Sequence, residues 1–261
     1  MIGMMVSLVI MLVLSVLLLN GLNDATTGQK SAKVGTVASL RDKEYLRGLF
    51  QGMAYSHNDL SGSKNSYYLT PSIVAGDDDI SRNTTANLYS AMIIQRYTVP
   101  QNLISGNEYN PDIWMDEDYN MNAYDPYNGV FWDTNFKADL AKESNVSFAH
   151  MPLYGKRYQQ HWKFTVDSRS VLFGNRGPAA GVDNPDSLTY GRNKQWGGHI
   201  VFGDGHVDFV TTFFAPGVSF SLDGVDTADN IFAMEDGEEG IDAILSFTKL
   251  MHEYGPELQY E

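Results

Sequence analysis

GGHIVFGDGHVDFV, Gly197–Val210, is the stretch on which the fold turns. Its β-branched and aromatic residues are split by Asp204-Gly205, a pair suited to the positive φ angles of a tight hairpin turn, so the segment predicts two antiparallel strands. A two-residue type I′ turn at Asp204-Gly205 sets Phe202 opposite Val207 and Ile200 opposite Phe209. One side of the ribbon is then continuously apolar and requires a cover. Further extended segments are predicted at Phe164–Val166, at Ser170–Gly174 and through Gly198–Phe214, where β-branched and aromatic residues lie between Gly or Pro.

The cover is legible upstream. From Lys30 to Met53, Val34, Val37, Leu40, Leu46, Leu49, Phe50 and Met53 recur mainly at steps of three and four, the spacing of an amphipathic helix. A second, short helix is predicted over Thr84–Ile94, with Asn83 or Thr84 as its cap and Leu88, Tyr89 and Met92 on one face. Tyr67–Pro71 reads as extended. Ser61–Asn65 reads as a loop, and Pro100–Asn145, rich in Asn, Asp and aromatics, as mostly irregular. Ile241, Ile244, Leu245, Thr248 and His252 predict a last helix ending at Gly255-Pro256. The expected fold class is α+β: a long N-terminal helix packed on an antiparallel sheet with long loops.

The N-terminal end has a different character. Met1–Asn23 carries no charged residue, and Met4–Leu19 is almost wholly apolar. As a helix rising about 1.5 Å per residue, the stretch could cross an apolar layer of roughly 30 Å. No Lys or Arg precedes the apolar run and no Ala-x-Ala-like site follows Leu19, so it does not read as a secretory signal. The absence of cysteine excludes a lipid-modified cysteine anchor. The expected organisation is a leader and hydrophobic membrane or filament helix over 1–28, and a globular head with a C-terminal helix over 29–261.

A formal charge of −14 on 261 residues argues against nucleic acid, since an acidic surface repels phosphate and no basic stripe interrupts it. The chain has no Cys, which removes disulfides and thiolate metal sites together. Gly-x-Ser-x-Gly and His-Glu-x-x-His are both missing, and no catalytic residue is assigned. Paired carboxylates are spatial and not sequential, so the sequence does not settle them.

The uncharged leader, the amphipathic stretch SLRDKEYLRGLFQGMAYSHND, SVLFGNRGP at Ser170–Pro178, the late hairpin, and DNIFAMEDG at Asp229–Gly237 together resemble a known group. They are similar to pilin-like proteins of the prepilin-type cleavage/methylation class with a His-x9-Asp-Gly C-terminal region, found in planctomycete-type bacteria. The resemblance implies a pilin-like fold and cleavage after Gly3 by a prepilin peptidase, with Met4 as the methylated mature N-terminus. It also implies a single-pass location in the inner membrane with the head in the periplasm or outside the cell. Implied partners are other pilin-like subunits and a type II secretion or type IV pilus-like machinery. The family motif falls on Lys194, Asp204 and Gly205, followed by His206. Two positions depart from the pattern: Leu8 stands where the family has Glu, and Lys194 where it has His. A carboxylate in a membrane bundle is costly without a cation, so a subunit with Leu8 suits a minor position where no such partner exists. The expected function is therefore a structural, non-enzymatic subunit. The alternative is a membrane-tethered surface module that binds carbohydrate or calcium.

Three clusters carry alternative chemistry. His199, Asp204 and His206 could hold a transition metal, but the hairpin puts the histidines at opposite ends and uses Asp204 in the turn. Asp223, Asp226 and Asp229, followed by Glu235, Asp236, Glu238 and Glu239, form the densest acidic tract. It reads as a solvated loop or as a calcium site, with a spacing unlike that of an EF-hand, and calcium is the one cofactor considered. Trp114, Tyr119, Tyr124, Tyr127, Phe131 and Trp132 form either packed loops or a stacking platform for sugars.

Overall fold

The computed structural model describes residues 36–56, 67–164, 167–235 and 242–261. The chain divides into two compact units, Met1–Leu40 and Arg41–Glu261. The expected membrane stretch, Gly3, Met4, Val34 and the Ser61–Asn65 loop lie outside the described residues. Among the described residues no helix is long and apolar enough to cross a membrane.

Helix α1 covers 36–56. Its buried stripe within the larger unit is Asp42, Leu46, Leu49 and Met53, at steps of four, three and four, and Phe50 is partly buried beside it. Val37 and Leu40, expected on the same stripe, are exposed. Ser56 ends the described part: its hydroxyl donates to the Met53 carbonyl at 2.6 Å and accepts the Leu69 N–H at 3.1 Å. Thr70, extended, caps helix α2 (Pro71–Ala75), with Pro71 at the first helical position where its missing N–H costs nothing. Helix α3 (Thr85–Ile94) is capped by Thr84, as expected, and buries Leu88, Tyr89, Ala91, Met92 and Ile93. So many buried positions make it a core helix and not a two-faced one.

The segment 100–145 is irregular, as its composition predicts, apart from 3-10 turns and the short strands β1 (Ala138–Asp139) and β2 (Glu143–Ser144). Its Asn and Asp residues replace a ladder with local bonds. The side chains of Asn110, Asp116, Asn120 and Asp133 each accept the N–H two residues on, at 2.9–3.1 Å.

The principal sheet runs β3 (Phe148–His150), β4 (Val171–Asn175), β5 (Gly198–Phe202) and β6 (Val207–Val210), all antiparallel. Helix α4 (Gly155–His161) lies between β3 and β4 in sequence. Phe164 sits in an exposed bend instead of the expected strand, and 165–166 lie outside the described residues. Trp162, Phe173, Phe148 and Tyr89 are fully buried, with Trp162 and Phe173 ring centroids 5.4 Å apart. Two hairpins complete the head: β7 (Phe214–Leu222) with β8 (Val225–Asn230), and β9 (Phe247–His252) with β10 (Gly255–Gln259).

Two expectations are corrected. The hairpin closes through three residues, not two. Val201 pairs with Val207, Ile200 with Asp208 and His199 with Phe209; the Phe202 N–H donates to the His206 carbonyl at 3.1 Å, and the Gly205 N–H to Phe202 at 2.9 Å. Gly205, at φ 86°, takes the left-handed position of such a loop. All five residues of β5 are buried, so its apolar pattern could not select the register, and the turn did. The C-terminal helix is also not formed. The residues from 247 onward make the β9–β10 hairpin, and the preceding run is pinned by pairing: the Leu245 N–H donates to the Ile231 carbonyl at 2.7 Å and Ser246 bridges His150. Apolar residues buried against neighbours on both sides mimic helical spacing by coincidence.

Buried His150 ties three elements together. The Thr85 hydroxyl donates to its Nε2 at 2.8 Å, its Nδ1–H donates to the Met151 carbonyl at 2.6 Å, and the Thr248 N–H donates to Thr85 Oγ1 at 2.7 Å. Complete burial pushes the imidazole down to about 4, so it is neutral and both ring nitrogens are satisfied.

Candidate functional site

The helix and the sheet meet at a polar joint. Asp42, on the apolar stripe of α1, is 3% exposed. Its Oδ2 accepts from the Ser105 hydroxyl at 2.7 Å and from Asn175 Nδ2–H at 3.2 Å, and its Oδ1 from the Gly106 N–H at 2.9 Å. Burial raises its pKa and these donors pull it back. Asn175 in turn accepts the His199 N–H at 2.8 Å, so one amide bridges α1 and β5. Beside it, Arg176 pairs with Glu108 at 2.6 Å, both nearly buried.

The tip of the hairpin rests on the same helix. A Cβ added to Gly205 would lie 2.5 Å from Phe50 Cε1, so the turn can seat there only as glycine. Asp204 organises the tip: its Oδ1 accepts the His206 N–H at 3.0 Å and contacts His206 Nδ1 at 2.5 Å, while the His206 ring stacks on Phe202 at 4.1 Å. Asp204, Gly205 and His206 thus form a shaped turn. Lys194 is not part of it; it stands on an exposed left-handed residue, 3.2 Å from Asp186.

His199 and His206 lie at opposite ends of the hairpin, as the sequence implied. His199 is buried against the Phe209 ring at 5.0 Å, and burial, then Lys43, holds it near 4. The acidic triplet is split by environment. Asp223, at φ 51°, and Asp226 are exposed, whereas Asp229 is 1% exposed and accepts the Ala243 N–H at 2.6 Å. Among the described residues no group of three or more His, Asp or Glu is placed to hold a metal ion. Asp236, Glu238 and Glu239 lie outside them. Of the aromatic set, Trp132 is buried and Tyr119 and Phe131 are partly buried, while Trp114, Tyr124 and Tyr127 are exposed.

A cleft of about 220 Å³ opens between α4 and the β7–β8 hairpin. On one side a buried pair, Arg157 and Asp242, is joined through a charged hydrogen bond, with Asp229 and Glu235 close by. Burial, together with the Asp242 and Glu235 carboxylates, pushes Asp229 up to about 7. On the other side His161 Nδ1 is 2.6 Å from Ser170 Oγ, which donates to Asp167 Oδ2 at 2.9 Å. Sequence reasoning missed this cleft, because Arg157 and Asp242 stand 85 positions apart. It also missed Asp42, although an acid in step with Leu46, Leu49 and Met53 is a readable sign of a buried, bonded carboxylate.

No protein-family model, curated protein or solved structure matches the chain.

Proposed function

We propose that the protein is a structural, non-enzymatic subunit held by its hydrophobic N-terminal stretch, pilin-like in design and a minor component of a type II secretion or type IV pilus-like assembly. The observation that carries this reading is the joint between α1 and the sheet. The buried stripe of the helix, the Asp42–Asn175 bond and the Gly205 seat on Phe50 fasten the head to the helix that follows the uncharged segment in sequence. A subunit that transmits load between an embedded helix and an outward head needs such a joint, and a hinged tether does not. Greasy helices of sister subunits would pack laterally, and the acidic, loop-rich head would face away from the inner membrane.

On this reading a prepilin peptidase cuts after Gly3, and Met4 becomes the methylated N-terminus. Leu8 removes the carboxylate that would otherwise pair with a neighbour's terminal amine, which suits a tip or branch position. The test is the mature N-terminus, read by mass spectrometry from a strain with active prepilin peptidase. Methylated Met4 is expected, and a chain still starting at Met1 overturns the processing claim. Exchange of residues 4–19 for an unrelated anchor should abolish association with the assembly while leaving the head folded; retained association refutes the subunit reading.

A further inference from the structure

The cleft beside α4 holds an arrangement that anchoring does not require. Ser170 is 4% exposed and has a single hydroxyl proton. Asp167, whose carboxyl is held below its ordinary value against the cost of partial burial by the Arg169 N–H and Ser170, can only accept. The Ser170 proton therefore points to Asp167. Ser170 Oγ must then receive the Nδ1–H of His161. This order of protons fixes one tautomer, with Nε2 of His161 as an unprotonated acceptor. Burial also lowers the imidazole pKa, so the ring is neutral at pH 7.

Most of the charges around this acceptor are paired. Arg157 and Asp242 neutralise one another in the wall, and Asp229 Oδ1, which meets no donor among the described residues, is almost wholly shut off from water. What the cleft presents is the largely exposed Arg169 guanidinium, paired with Asp167 at 3.7 Å, the Asp226 carboxylate, and Ser219 and Ser221 on the outer part of β7. Donors and acceptors are mixed, and among the described residues Asp226 is the one exposed carboxylate of the lining that meets no cation. A small anion would be repelled by that carboxylate and a small cation would gain only the weak attraction of one solvent-exposed charge, whereas a hydroxyl group, donor and acceptor at once, meets both kinds of partner. The volume of about 220 Å³ falls below the roughly 300–1,000 Å³ of clefts for larger ligands, and matches one sugar ring.

We infer that this cleft binds a neutral, polyhydroxylated ring, a monosaccharide or the end of a glycan, with His161 Nε2 accepting one of its hydroxyls. The site stands apart from the anchoring role and survives if that role is refuted.

The experiment uses the full chain in detergent micelles with labelled histidine. Ring-nitrogen NMR should report His161 as protonated at Nδ1 only; a mixed or reversed tautomer in the wild type overturns the proton order. Glucose, galactose, N-acetylglucosamine and cellobiose are then titrated, with sodium phosphate and ethylammonium chloride as ionic controls. At least one sugar should shift the His161 resonances saturably. His161→Ala should weaken that binding about tenfold or more, as expected for loss of a ligand hydrogen bond. Should His161→Ala not fold, Ser221→Ala, on the exposed hairpin, supplies the same comparison, and isothermal titration supplies the readout. Absence of a saturable response to every sugar, a response to the ionic controls instead, or sugar binding indifferent to the variant each refutes the site.

Discussion

Asp42 of α1 and Asn175 of β4, 133 positions apart, are joined by an Nδ2–H to Oδ2 hydrogen bond of 3.2 Å. The bond lies where the helix crosses from its own amphipathic logic into the sheet. Asp42→Ala would leave the buried Ser105 hydroxyl and the half-buried Asn175 amide without their acceptor. A loss of about 2–3 kcal/mol is expected, from denaturant unfolding with an unchanged m-value. Because the two residues act as one unit, Asp42→Ala with Asn175→Ala should cost less than the sum of the single changes.

Gly205→Ala tests the seat of the hairpin on the helix. Its φ of 86° and the 2.5 Å approach to Phe50 add strain to a clash, and about 2–3 kcal/mol should be lost in thermal unfolding. Adding Phe50→Ala to Gly205→Ala should recover the clash but not the backbone strain, so the two changes together should fall short of additivity.

Stability should depend on pH in two opposing ways. His150 has its folded pKa depressed to about 4, so its contribution is complete above the unfolded value near 6.5 and is lost as pH falls from 6.5 toward 4, about 3 kcal/mol in all. His199, also near 4, acts in the same direction. Asp229, raised to about 7, does the reverse: its contribution is complete below 3.8 and is lost as pH rises toward 7. Asp229→Asn should therefore make the acid-side loss between pH 6.5 and 4 steeper than in the wild type. Melting temperatures across that range decide it, and parallel curves would refute the assignment.

The Arg157–Asp242 pair has side chains 6% and 0% exposed, and the Asp242 carboxylate also accepts the Glu235 N–H at 3.1 Å. Arg157→Ala strands a buried carboxylate beside two others and should cost about 3–5 kcal/mol. Replacing both partners, Arg157→Met with Asp242→Leu, should restore part of that loss, measured by urea unfolding.

Some of this architecture is legible along the chain. Leu46, Leu49 and Met53 declare the buried side of α1, Thr84 declares the start of α3, and the Asn/Asp text between 100 and 145 declares local turns, because each signal depends on neighbours within a few residues. Asp204-Gly205 declares a hairpin for the same reason. Its register is another matter, since β5 is buried on both faces and no alternation marks one side. Ile244, Leu245 and Thr248 misled because helical spacing and burial in an extended, paired run leave the same marks. The His161–Ser170–Asp167 chain gave little warning: its members fall within ten positions, but their meeting depends on how α4 returns to β4.

Local chemistry along the backbone thus determined the class of the protein, a helix on an antiparallel sheet with turn-rich loops, and the uncharged character of its first 23 residues. Tertiary structure alone decided the Asp42 joint, the C-terminal hairpin and the polar cleft. What fixes them includes contacts such as Asp42 with Asn175, Thr85 with Thr248 and Arg157 with Asp242, which are 133, 163 and 85 positions apart, and such contacts are chosen by which buried groups can satisfy one another, a condition no short window of sequence contains.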